Sequence, residues 1–185
     1  MRAVVVYESL FGNTHEVASA IGDGVAEVMA VTVLSVSDAT PALVEGVDLV
    51  VVGGPTHVHG MSLAPTRDQA QKMAADSGGE LHLDENASGI GVREWLERLP
   101  ASDAMAAAFD TRINVPRVLS GAASGRIDHA LRRRGLRAVS TPMSFLVNTS
   151  NQLESSELAR ARAWGIDVAH DAMSTDAADT TAARR

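Results

Sequence analysis

Short apolar runs alternating with amphipathic stretches predict an α/β fold, a parallel sheet with helices on both faces. Three observations carry this. Five apolar runs, Arg2–Tyr7, Ala30–Val36, Val47–Gly54, Met105–Phe109 and Leu136–Ser140, have strand length. The segments between them repeat apolar residues at helical spacing. The third run is apolar without alternation, as in strands buried on both faces.

The elements follow in order. Arg2–Tyr7 is rich in β-branched residues and reads as the first strand. Val17, Ile21, Val25 and Val28 form one face of the helix that follows from about His15. Ala30–Val36 is the second strand, and Thr40–Val44 a short amphipathic turn. Val47–Gly54 runs into Pro55–Ser62, a loop with turn punctuation at both ends, and Pro65 suits the first turn of a helix over Ala64–Ala75. Asp76–Ser88 is polar and glycine-bearing and reads as a mobile excursion. Val92, Trp95, Leu96 and Leu99 make a helical stripe. Met105–Phe109 is the fourth strand and Asp110–Pro116 its loop. Gly121–Arg134 reads as a helix whose last turn is cationic and whose stop is Gly135. Leu136–Ser140 is the fifth strand, with Phe145–Val147 as an extension past Pro142. Asn151 and Glu154 resemble a capping box for a last helix carrying Leu158, Ala161, Gly165 and Val168. Asp171–Arg185 lacks periodicity and is expected to be a disordered tail, leaving one domain over residues 1–170. Trp95 and Trp164 fall on apolar stripes and are expected in the core.

Composition narrows the function classes. A formal charge of −7 argues against nucleic acid and anionic membrane and suits a basic partner. With no cysteine there is no disulfide frame, no thiolate metal site and no cysteine nucleophile. Residues 3–6 are too short an apolar run for a signal peptide, and no run approaches a membrane span, so a cytoplasmic location is expected.

The densest signal is Glu8-Ser9-Leu10-Phe11-Gly12-Asn13-Thr14, between the first strand and the first helix. It joins hydroxyls, an amide and the backbone N–H groups of a helix start, which favour an anion. It holds no Lys or Arg, so a phosphate there would be held by neutral donors. Helix capping by Asn13 or Thr14 is the plainer reading, but it leaves the clustering of these groups unexplained. The lysine-bearing nucleotide loop and the G-x-G-x-x-G fingerprint are both absent. In parallel sheets ligands bind beyond the carboxyl ends of the strands, and the loops after the first, third and fourth strands share that edge.

On these three loops, Ser9 to Thr14, Gly53-Gly54-Pro55-Thr56-His57 and Asp110-Thr111-Arg112, the chain resembles flavodoxin-like proteins. The resemblance implies a three-layer sandwich with a five-stranded parallel sheet in the order 2-1-3-4-5. It also implies a noncovalent FMN, with phosphate in Ser9, Leu10, Phe11, Gly12, Asn13 and Thr14. The ring would lie between Pro55, Thr56, His57, Val58, His59 and Gly60 on one side and Asp110, Thr111 and Arg112 on the other. Flavodoxins commonly sandwich the ring between Trp and Tyr; the third-strand loop here offers His57 and His59.

Several alternatives stay open. Phe11 shields the cofactor or staples the loop. Asp110 and Arg112 line the pyrimidine edge or pair with each other on the surface. His57 and His59 hydrogen-bond to the ring edge or stack on it, or His59 faces water, and no third ligand accompanies them for a metal. The expected function is an FMN-binding electron-transfer protein or small flavin oxidoreductase. It would exchange electrons with a protein of basic surface or with a small-molecule acceptor. The rivals are an FMN-dependent quinone reductase, its second pocket supplied by Asp76–Ser88, and a binding module of the same fold that has lost flavin.

Overall fold

The computed structural model describes residues 1–57, 60–79, 81–87 and 89–183. β1 (Arg2–Tyr7) pairs in parallel with β2 (Ala30–Ser35) on one side and on the other with β3 (Leu49–His57), the middle strand of the sheet. Between β1 and β2 runs α1 (Asn13–Ala26). β4 (Gly60–Met61) folds back antiparallel on the end of β3. After α2 (Ala64–Asp76) and α3 (Val92–Arg98), β5 (Met105–Ile113) adds in parallel beyond β3. The short α4 (Arg117–Ser120) and α5 (Ala123–Arg133) lead to β6 (Arg137–Ala138) and β7 (Met143–Val147), which both pair in parallel with β5. The chain closes with α6 (Glu157–Ala183). Counting β6 and β7 as one interrupted edge strand, the order is the expected 2-1-3-4-5. The interruption spans Pro142, which has no N–H for a ladder.

The alternation of β1 shows why both faces are covered. Val4 and Val6 point into a core with Trp95, Leu96, Ile127 and Leu131 of α3 and α5. Ala3, Val5 and Tyr7 point into a second core with α1, α6 and the aromatic trio Phe109, Phe145 and Trp164. The trio meets edge-to-face at centroid distances of 6.1–6.3 Å. Trp95 donates Nε1–H to the Ala39 carbonyl at 2.6 Å, so its one polar group is satisfied. Glycine sets the closeness of two layers. A Cβ on Gly24 would lie 2.1 Å from the Arg162 carbonyl oxygen, and one on Gly165 would lie 2.3 Å from that of Ile21.

Four boundaries differ from the sequence reading. Pro55–His57 and Asp110–Ile113 are strand rather than loop, because Pro55 pairs with Thr111, β4 pairs with β3, and β7 carries β5 onward. The helix read over Gly121–Arg134 is preceded by separate α4, broken by Gly121 at φ 72°. No capping box joins Asn151 to Glu154: Glu154 accepts from Asn114 Nδ2 at 3.1 Å, and α6 starts at Glu157. Residues 171–183, expected as a disordered tail, continue α6. The segment is alanine-rich, which favours helix, and Ala172 is buried. Ser174, Thr175 and Thr181 donate their hydroxyls to carbonyls four residues back, which hides polar groups that would otherwise compete with the helix.

A polar cleft at the carboxyl edge of the sheet

The segments after β1, β3, β5 and β7 surround a cleft of about 250 Å³. In the first segment Ser9 Oγ accepts the Gly12 N–H at 3.1 Å and tightens the turn. Gly12 sits at φ 91°, a left-handed conformation costly for other residues, and delivers the chain into α1. Among the described residues no side chain caps this helix at Gly12, so no cap takes up the N–H groups of its first turn, which begins at Asn13 on the wall of the cleft. Thr14 is buried, and its hydroxyl lies 2.7 Å from that of Thr111 on β5. Asn13 Nδ2 donates to the backbone oxygen of Asn151 at 2.9 Å and to its Oδ1 at 3.1 Å, tying the loop after β7 to the start of α1. Leu10 and Phe11 complete this wall, with Leu10 buried.

Pro55, Thr56 and His57 line the second wall. Thr56 Oγ1 also accepts the Ala123 N–H at 2.9 Å. Burial lowers the pKa of His57, which favours a neutral imidazole. Val58 and His59 lie outside the described residues. Gly60 belongs to β4 and lies against the guanidinium of Arg126, away from the cleft lining.

The third wall divides the expected set. Thr111 and Arg112 line the cleft. Asp110 is fully buried, and its Oδ2 accepts the Ser124 N–H at 2.7 Å, so with Thr56 it satisfies the start of α5 instead of facing a ligand. The surface pair of Asp110 with Arg112 does not form: Arg112 Nη1 donates to the Val115 carbonyl at 2.8 Å and to Ser120 Oγ at 3.2 Å. Arg112 is the one permanently charged side chain among the described lining residues.

The sequence reading missed Ile113, Ser120, Val147, Asn148, Thr149 and Asn151, which complete the lining. The polar run 148–152 directly after an apolar one was the available signal. Motifs marked out the loops after the first, third and fourth strands, and this run beyond the Phe145–Val147 extension carries none.

Behind the first segment is a buried charged cluster. Glu8 accepts the Val92 N–H at 2.7 Å and the Ser62 hydroxyl, and burial raises its pKa. Arg67 pairs with Glu94 at 3.1 Å. Burial would raise Glu94 as well, but its hydrogen bonds to Arg67 and the Gly91 N–H hold it below the usual range. Residues 81–87 pack on this outer side. Asp84 donates its N–H to the Leu10 carbonyl at 2.8 Å and pairs with His15 at 3.2 Å, and Ala87 packs with Leu10 and Ala70. No described residue of the expected excursion lines the cleft.

The residues present fit a group anchored by a phosphate: unconsumed helix N–H groups and neutral side-chain donors at one end, and Phe11, Pro55, His57 and Ile113 as less polar walls. Among the described residues no three His, Cys, Asp or Glu side chains cluster as a metal site. No described helix is long and apolar enough to cross a membrane.

No family model matches the chain, and no curated protein does. Solved structures do match. An archaeal flavodoxin is 21% identical with a TM-score of 0.64, covering 94% of this chain and 99% of its own. Flavodoxin 2 of Bacillus cereus is 14% identical with a TM-score of 0.64, covering 92% and 99%. The Flv1 flavodiiron core of Synechocystis sp. PCC6803 is 15% identical with a TM-score of 0.60, and the match covers 95% of this chain but 36% of that one. At these identities the likeness is one of architecture, and it agrees with the strand order and the placement of the cleft: the chain has the flavodoxin-like fold.

Proposed function

We propose that the cleft holds FMN noncovalently and that the protein is an electron carrier. The observation that carries this is the uncapped start of α1 at Gly12, opening on a cleft at the point where the strand order reverses. The N–H groups of the first turn, Ser9, Asn13 and Thr14 hold the phosphate. Phe11, Pro55, Thr56, His57 and Ile113 exclude water from the ring, and Arg112 keeps a fixed positive charge beside it. FMN when bound supplies reversible one- and two-electron chemistry. The packing of residues 81–87 under Leu10 favours a carrier over a quinone reductase, since that segment adds no second pocket above the cleft. The net charge of −7 favours a redox partner with a basic surface.

The test is titration of FMN with the protein, read by flavin fluorescence and by thermal shift against riboflavin and inorganic phosphate. FMN should give the largest shift and be quenched on binding. Asn13→Asp, at a half-buried residue of near-equal size, places a carboxylate beside the phosphate and should abolish retention while the protein stays folded. Equal, negligible shifts for all three ligands would identify a binding module without flavin.

A further inference from the structure

A second and larger concavity lies between α3 and α5, and nothing in the flavin reading uses it. Its volume is about 710 Å³, the size range of nucleotide and cofactor sites. Arg93 lines one wall and Arg126, His129, Arg133 and Arg134 line the rest, with Glu97 the one acidic side chain among the described lining residues. In a chain of net charge −7 such a concentration of cations needs a local cause.

Helix dipoles explain only part of it. Arg133 and Arg134 lie at the carboxyl end of α5, where a cation is favoured, and Arg134 donates to the Glu97 carbonyl. Arg126 is the fourth residue of α5 and Arg93 the second of α3, and at a helix start a cation is disfavoured. Arg126 is exposed and forms no ion pair among the described residues. Its guanidinium lies over Gly60, with Nε 2.9 Å from where a Cβ would stand, so the glycine leaves it room. Arg93 makes one long hydrogen bond, 3.4 Å to the Met61 carbonyl, and its buried Nε has no partner among the described residues. The floor is apolar, formed by Met61, Leu96 and Ala130. Arginine forks match phosphate oxygens two at a time, which suits spaced phosphates better than a single point charge.

We propose that this groove binds a nucleotide-sized phosphorylated ligand, with its phosphates on Arg126 and Arg133 and its apolar part on Met61 and Leu96. Thr56, which lines the cleft, is the direct cross-strand neighbour of Met61, which lines the groove. The two sites are therefore separated by one hairpin, and a ligand in the groove sits beside the proposed redox centre. The groove's own binding does not depend on that centre, because Arg126 and Arg133 take no part in the cleft.

The experiment is calorimetric titration of the full chain at low salt with ADP, inorganic pyrophosphate and adenosine. ADP should bind, pyrophosphate should compete with it, and adenosine should bind at least ten-fold more weakly. Arg126→Gln with Arg133→Gln should weaken ADP at least ten-fold with an unchanged thermal midpoint, since both side chains are exposed. Arg126→Lys with Arg133→Lys keeps the charge but loses the fork, and should recover only part of the affinity that the glutamine pair loses. Asn13→Asp, in the cleft, should leave ADP affinity unchanged. No binding of ADP, adenosine binding as well as ADP, an ADP affinity untouched by the glutamine pair, or its loss in Asn13→Asp would each overturn the proposal. A failure of FMN to bind would strike the cleft reading alone.

Discussion

Gly12 and Thr111 show what single residues contribute at the cleft. Gly12 has nothing within 4 Å of the place a Cβ would occupy, so Gly12→Ala meets no clash. Its cost is conformational, about 1 kcal/mol of unfolding free energy for a left-handed residue. Urea denaturation should show that loss, together with weaker FMN retention as the turn relaxes. Thr111→Val strands the buried Thr14 hydroxyl and should cost about 1–2 kcal/mol by the same measurement, with Thr111→Ser restoring most of it. Ser9 to Thr14 was legible in the sequence because strand end, turn and helix start are all local there. The Thr14–Thr111 and Asn13–Asn151 pairs were not, since each joins residues far apart in the chain. Asp110 was misplaced for a simpler reason. β5 runs on to Ile113, so Asp110 lies too deep in the sheet to reach the edge and turns to the start of α5 instead.

Among the elements, α1 and α6 are coupled most closely. Their glycine contacts leave no room for a methyl group on Gly24 or Gly165, and the atoms met are backbone rather than flexible side chain. Gly24→Ala must therefore push the helices apart, and a loss of about 3 kcal/mol in unfolding free energy is expected. Gly22→Ala would press on one methyl of the Val33 side chain rather than on backbone, and should cost less. Comparing the two melting curves checks whether the helix contact sets the difference. The order of elements was readable from periodicity because both faces of the sheet are covered and the inner strands β1, β3 and the first half of β5 are apolar. The edge strand is split around Pro142, and its two pieces are held by different parts of β5. Alanine weighs little in an amphipathic pattern, which is why the end of α6 read as tail.

For the molecule as a whole, stability should depend on pH through groups of opposite sign. His57 is held below its unfolded value of 6.5, so the unfolded chain takes up a proton first as pH falls, and stability drops below that value. Glu94 acts the same way further down: its contribution is present above 4.5 and is lost as pH falls through its lowered folded value. Glu8 opposes both, because its raised folded pKa makes the ionised form a cost that acidification relieves. Urea unfolding from pH ~7.5 to ~5.5 should therefore show a decline that His57→Gln flattens, by at most one proton or about 1.4 kcal/mol per pH unit. If the variant's slope equals the parent's, His57 is not the group responsible. Association with a basic redox partner should slow with added salt, since exposed charges are screened beyond about 8–10 Å. Stopped-flow rates that stay flat would point to a small-molecule acceptor instead.

The path of α6 has a mechanical consequence. The helix starts beside β7, where Glu157 accepts the Leu146 N–H, and ends past Asp179, which pairs with Arg137 at the opposite end of the sheet. Its 27 residues span about 40 Å. Traction at Ala183 would first peel the outer turns, held by exposed contacts, and would then load the contact of Gly165 with α1. Once that seam shears, α1 loses its backing while the sheet is still zipped, and the turn at Gly12 goes slack with it. Cargo in the cleft should thus be shed at the first rupture, before the strands part.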